Sequence, residues 1–332
     1  MAANNIHHGK IAIHSQHATP IHYTYVSGNR QPKNGLVPLI VFLSGLNDPR
    51  KIWTPVLRAI SKDNGAEGSF QPPMLLYDRF GSGETAKKDI TKTHDAMAAA
   101  NDLRELIAGV AERHLEIQPN DFDSLSIIFV AHSFGGVVAE LYAKQYPRTV
   151  VALLLLDPSP TDTDGESWFP DPGAPDFKPE TLPDGITAAM LRKARAQQRA
   201  SPYNPNSPNK EGIKWDNLST YIPEVGKPQL LGPWESTPVL TIMGHDPLPY
   251  AEQVKKLTGI PTQLTLTYNS PSWFCYLERL SNLVPPHLRK GPIVAKGSGH
   301  FIPLEQPKLV AAELKGLIKK LQLVQDVQNS KL

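Results

Sequence analysis

The apolar run Ile127-Ile128-Phe129-Val130 passes through Ala131-His132-Ser133-Phe134-Gly135-Gly136 into a helical stretch, Val137 to Tyr146, that stops at Pro147. A strand that becomes a helix within so few residues must bend sharply, and a serine at the apex is left with its hydroxyl exposed. Strand and helix then crowd each other, so the positions beside the serine must be small. Gly135 and Gly136 satisfy this after the serine, and Ala131 before it, with one methyl group more than glycine. The stretch predicts a nucleophile elbow. Its rival is an ordinary Ser-x-Gly turn, which the rest of the chain has to remove.

Upstream, Gly9 to His14 and Pro20 to Val26 alternate polar and apolar residues and predict two antiparallel entry strands. Pro38 to Leu43 is a continuous apolar run, suited to a strand covered on both faces. Ile52 to Ser61 has helical spacing, Pro73 to Tyr77 predicts a strand, and Ala96 to Leu115 a long helix. The loop Asp78-Arg79-Phe80-Gly81-Ser82-Gly83 is rich in glycine but lacks the lysine and spacing of a phosphate-binding loop, so it is assigned to a structural turn. After the elbow, Val150 to Leu156, Val239 to Met243 and Pro292 to Ala295 predict further strands. Helices are expected at Ala251 to Leu257, Trp273 to Leu283 and Val310 to Leu323. This alternation argues for an α/β fold: a mostly parallel central sheet with helices on both faces.

Between Pro158 and Trp234 the periodicity dissolves, apart from expected helices at Ile186 to Arg199 and Trp215 to Tyr221. Many of the chain's 32 prolines fall in this region. Unpatterned segments of such length inside a compact domain commonly act as lids. The chain is therefore divided into a core, residues 1–157 and 235–332, and a cap insertion, residues 158–234.

A serine hydroxyl becomes a useful nucleophile when a histidine, itself oriented by a carboxylate, takes its proton. His300 lies in Gly297-Ser298-Gly299-His300 after the last strand, where a base has to sit to reach the elbow. Two carboxylates qualify as the acid: Asp157, directly after Leu153-Leu154-Leu155-Leu156, and Asp246, in Gly244-His245-Asp246-Pro247 one strand later. The short spacing of the second turn favours Asp157 and leaves Asp246 as the alternative. Oxyanion-binding N–H groups are expected from Leu46, in Ser44-Gly45-Leu46-Asn47-Asp48, and from Phe134.

On the motifs Phe42-Leu43-Ser44-Gly45-Leu46, Tyr77 to Gly83, His132 to Gly136 and Gly297 to Pro303, the chain resembles the α/β-hydrolase superfamily from about Gly9 to Leu323. With Ser330-Lys331-Leu332 at its end, it is further similar to fungal peroxisomal hydrolases of secondary metabolism. These include the acyl-CoA hydrolase of the mycophenolic acid pathway and hydrolases of Alternaria host-selective toxin clusters. That resemblance implies an ester or thioester substrate with a bulky acyl group, an acid after the earlier strand, and no metal or bound cofactor. Arg192, Lys193, Arg195 and Arg199 on the cap helix are candidates to meet CoA phosphates, although a basic helix face is by default solvated.

The same triad also serves lyase, acyltransferase or cyclase chemistry, and a non-catalytic ligand-binding role is a third class. The expected partners are a small acyl substrate and, through Ser330, Lys331 and Leu332, the peroxisomal import receptor; unread, that tripeptide would leave the protein in the cytoplasm. A net charge of +2 makes no electrostatic case for nucleic acid. No apolar stretch approaches the roughly 20 residues of a membrane span. Met1 to Lys10 has no apolar signal core. The single cysteine, Cys275, allows no internal disulfide and suits a reducing compartment.

Overall fold

The computed structural model describes residues 5–14, 16–28, 37–63, 71–86, 94–201, 204–205, 207–222, 224–227, 230–233 and 236–329. The terminal Ser330, Lys331 and Leu332 lie outside them. Eight strands form one sheet: β1 (Ile6–Ile13), β2 (Gln16–Val26), β3 (Val37–Leu43), β4 (Met74–Tyr77), β5 (Leu125–His132), β6 (Val150–Leu156), β7 (Val239–His245) and β8 (Arg289–Ala295). Their order is β1-β2-β4-β3-β5-β6-β7-β8. The two entry strands pair antiparallel with each other, and β2 runs antiparallel to β4. Every pairing from β4 through β8 is parallel.

All residues of β5 and of β6 are buried. Successive side chains of a strand point to opposite faces, so the sheet is covered on both sides, and uninterrupted apolar runs are what such strands require. The cover comes from α1 (Thr54–Asp63), α2 (Ala96–Leu115), α3 (Phe134–Gln145) and, after the cap, from the chain's second half. α2 packs on α3, while α1 packs on the closing helix, Pro307–Asn329. α2 starts where the Asp95 carboxylate accepts from the Ala98 N–H, an N-cap, and ends at Glu116 in the left-handed region.

The cap holds α4 (Ala188–Arg199) and the single turn α5 (Leu218–Tyr221). Beyond β7 come α6 (Pro247–Thr258), α7 (Thr262–Leu264), a π-helical turn (Thr265–Asn269), α8 (Ser270–Leu280), α9 (Ile302–Glu305) and α10 (Pro307–Asn329). Phe169, Ile186, Leu191 and Ala194 of the cap share an apolar cluster with Ile260 and Leu264. Residues 158–234 are therefore packed on chain that follows β7.

Candidate active site

Ser133 follows β5, Asp157 follows β6 and His300 lies in the loop after β8, so parallel pairing sets all three at one edge of the sheet. His132 is paired with Leu156, which puts Ser133 and Asp157 in adjacent turns. His300 reaches back across β7 and β6. Its Nε2 lies 3.0 Å from the Ser133 Oγ and its Nδ1 2.6 Å from the Asp157 Oδ2. With Asp157 ionised, Nδ1 carries the hydrogen and Nε2 is left to accept from the serine. The loop is held in place by the His132 Nε2–H, which donates to the His300 carbonyl at 2.8 Å, and by the Gln253 Oε1, which accepts from the His300 N–H at 2.9 Å.

Local backbone explains how the elbow exposes its serine. Ser133 sits at φ 53 and Asp157 at φ 45, both in the left-handed half of φ space that side chains avoid. A Cβ on Gly135 would run into the backbone of Leu43, and one on Gly136 would stand 2.8 Å from the Pro158 Cβ. Both positions therefore need glycine. Ala131 is fully buried in β5.

Asp246 does not meet His300. Its Oδ2 accepts from the Gly297 N–H at 3.0 Å, and its own N–H donates to the Ser298 carbonyl at 2.7 Å. It ties the turn after β7 to the loop after β8. Asp157 instead serves two imidazoles. Its Oδ1 accepts from the backbone N–H of His245 at 3.1 Å and lies 2.9 Å from the His245 Nδ1. Burial pushes the Asp157 carboxyl up, but attraction and hydrogen bonding from His245, and then from His300, outweigh it and hold the group well below the usual carboxylate range. Nothing in the sequence singled out His245. It is the neighbour of Asp246 and is fully buried, its ring stacked on Tyr250 at 3.7 Å.

Phe134 opens α3, so its N–H is among those without an intrahelical partner, at the positive end of the helix dipole. Leu46 follows Gly45, where a Cβ would stand 3.2 Å from the Ser133 Cβ. Leu46 and Ser133 line the same cavity. Ser159, also absent from the sequence expectations, places its Oγ 3.2 Å from that of Ser133.

Ser133, Leu46 and His300 open onto a cavity of ≈ 130 Å³. A single water needs only about 10–15 Å³ by the same measure, so the space suits an organic group. Trp168 and Trp215 from the cap, and Tyr250, Trp273 and Phe301 from the core, wall it with aromatic surface. Among the described residues the one carboxylate in its lining is Asp164, and no lysine or arginine takes part. None of Arg192, Lys193, Arg195 and Arg199 reaches it. Arg199 donates to both oxygens of Glu166 at 2.8 and 2.7 Å, and Arg195 donates to the Phe169 carbonyl at 2.7 Å and pairs with the same glutamate.

A sequence profile of the Alpha/beta hydrolase family matches residues 40–313. The YqjL protein of Bacillus subtilis (strain 168) is 21% identical over 197 residues, which cover 59% of this chain and 64% of that protein. Among solved structures, epoxide hydrolase VrEH1 from Vigna radiata superposes with a TM-score of 0.54 at 14% identity, covering 96% of this chain and 100% of the other. A thermophilic esterase from Thermogutta terrifontis gives 0.50 at 16% identity, with 95% and 99% covered. Identities this low speak for a shared fold alone.

Proposed function

The chain belongs to the alpha/beta hydrolase family, and on that premise we propose that it is a serine hydrolase cleaving an ester or thioester of a bulky, largely apolar acyl group. The observation that carries the reading is the His300 ring, with one nitrogen 3.0 Å from the Ser133 Oγ and the other 2.6 Å from the Asp157 carboxylate. The Ser133 Oγ attacks the acyl carbon while His300 takes its proton at Nε2; the carbonyl oxygen becomes an oxyanion held by the Leu46 and Phe134 N–H groups. His300 then returns the proton to the departing alkoxide or thiolate. In the second half His300 deprotonates a water that attacks the acyl-enzyme, and the carboxylic acid leaves as Ser133 regains its proton. Asp157 orients the imidazole and stabilises its charged form.

The aromatic walls suit the acyl portion, and an acyl-CoA would keep its phosphates outside a cavity that offers them no cation. The resemblance to fungal hydrolases of secondary metabolism supports a specialised acyl group, and Ser330-Lys331-Leu332 supports a peroxisomal address. A fluorescent reporter carrying the final residues, with and without Leu332, tests the address. The reaction is tested by a fluorophosphonate probe and by hydrolysis in ¹⁸O-water over a panel of acyl-CoAs and simple esters. Label on Ser133 and heavy oxygen in the released acid are expected. An acylated second product with no free acid would mean acyl transfer, and no label on Ser133 would point to a binding protein.

A further inference from the structure

The proposed reaction leaves unused a buried ion pair beside the site. Arg79 and Glu211 are 5% and 4% exposed, and one comes from the core while the other comes from the cap. The Arg79 Nε donates to Oε2 of Glu211 at 2.6 Å and its Nη2 to Oε1 at 2.9 Å. The remaining donors of the guanidinium go to the chain that carries Leu46: Nη1 to the Ser44 carbonyl at 2.7 Å and Nη2 to the Gly45 carbonyl at 2.5 Å. Glu211 also accepts from the Asn47 N–H, and the Lys210 N–H donates to the Asn47 Oδ1 at 2.9 Å. The residues on both sides of Leu46 are thus held by Arg79 or by the cap.

In a trans peptide the C=O and the following N–H point in opposite directions. Drawing the Gly45 carbonyl onto Arg79 therefore turns the Leu46 N–H the other way. A guanidinium has the fixed fork of donors needed to grip two carbonyls and a carboxylate together, but only while a counter-charge makes its burial tolerable. Burial opposes the charge of Arg79, and Glu211 more than restores it, so its affinity for the proton is raised above the ordinary value. We infer that Glu211 is a positioning residue through which the cap sets the oxyanion-binding N–H of Leu46. The inference rests on the serine-hydrolase reading above.

The test compares wild type with Glu211→Gln, Glu211→Ala and Asn47→Gly. Three quantities are measured: kcat and KM for p-nitrophenyl butyrate, the rate of Ser133 phosphonylation by a fluorophosphonate, and the thermal midpoint. Loss of one oxyanion donor costs about 10²–10³ in rate, so Glu211→Ala is expected to lower kcat and phosphonylation together by about 10²-fold, with KM within about twofold. Glu211→Gln, which keeps an acceptor for the Asn47 N–H, should fall between. Asn47→Gly keeps the N–H and tolerates the φ of 66, but loses the bond from Lys210. It should lose less in the same two rates with a midpoint near wild type, and it carries the test if the Glu211 variants do not fold. Unchanged rates in folded variants, or a loss confined to KM, would overturn the inference while a labelled wild type left the hydrolase reading standing. A wild type that takes no label would overturn both.

Discussion

Replacing Asp157 by asparagine tests the acid with almost no change in shape. The two carboxylate oxygens are not equivalent. Oδ1 faces the backbone N–H of His245 at 3.1 Å, a group that can only donate, and the ring of the same residue at 2.9 Å. An asparagine there must turn its carbonyl to that side, which leaves its NH₂ where Oδ2 now meets the His300 Nδ1 at 2.6 Å. The His300 Nδ1 then has to accept, its hydrogen moves to Nε2, and the nitrogen facing Ser133 at 3.0 Å can no longer take a proton. A wrong tautomer of this kind costs about 10⁴ in kcat, or about 5.5 kcal/mol of barrier, with KM little altered. Asp246→Asn keeps an oxygen for the Gly297 N–H and should lose less than about threefold, since that bond is remote from the proton path. Steady-state turnover of p-nitrophenyl butyrate at neutral pH, with thermal midpoints as a check on folding, separates the two. If Asp157→Asn kept more than about a tenth of wild-type kcat, or if Asp246→Asn fell as far, the assignment of the acid would be refuted.

His245→Ala removes a donor to the Asp157 Oδ1, so kcat for p-nitrophenyl butyrate should fall with KM little changed; an unchanged kcat would reduce His245 to packing. Burial, and then the neighbouring charge of His300, push the His132 imidazole down to about 3, whereas unfolded histidine titrates near 6.5. Its contribution to stability is therefore complete above about pH 6.5 and is lost as pH falls toward the folded value, by about 2 kcal/mol between pH 7 and pH 5. Denaturant melts of wild type against His132→Gln should show that difference, and parallel curves would contradict it. Because neither Arg192 nor Lys193 lines the cavity, Arg192→Gln and Lys193→Gln should leave KM for an acyl-CoA within about twofold, whereas a tenfold rise would mean that phosphates meet this face.

Much of the core was legible because it rests on strand ends. Ser133, Asp157 and His300 each follow an apolar run, and parallel strands bring such ends to one edge whatever lies between. Polarity does not mark where backbone pairing stops, which is why β1 begins at Ile6 rather than Gly9 and β8 at Arg289 rather than Pro292. Apolar spacing likewise placed a helix at Trp273 to Leu283, but α8 starts at Ser270 and ends at Leu280, with a π-helical turn ahead of it. The periodicity registers where a face meets the core, not where the helix begins. The partners of Asp157 and Arg79 were illegible for a different reason. His245 meets Asp157 across 88 positions and Glu211 meets Arg79 across 132, and a lone carboxylate in a loop carries no pattern that separates it from a solvated one. Spacing pointed to Asp157 over Asp246, but it did not predict the Gly297 N–H that occupies the second carboxylate.

The backbone at Ser133 and Asp157 bears on why the chain has a side chain at either place. Left-handed or otherwise sparsely populated φ/ψ costs a residue with a Cβ about 1–3 kcal/mol, and glycine escapes that penalty. With φ at 53 and 45, two such penalties fall on neighbouring turns of one small region. A glycine at 133 would escape its penalty, whereas one at 157 would leave the buried His245 N–H without its acceptor. The Ser133 side chain is thus held where glycine would be less strained, and that same backbone presents its hydroxyl to His300.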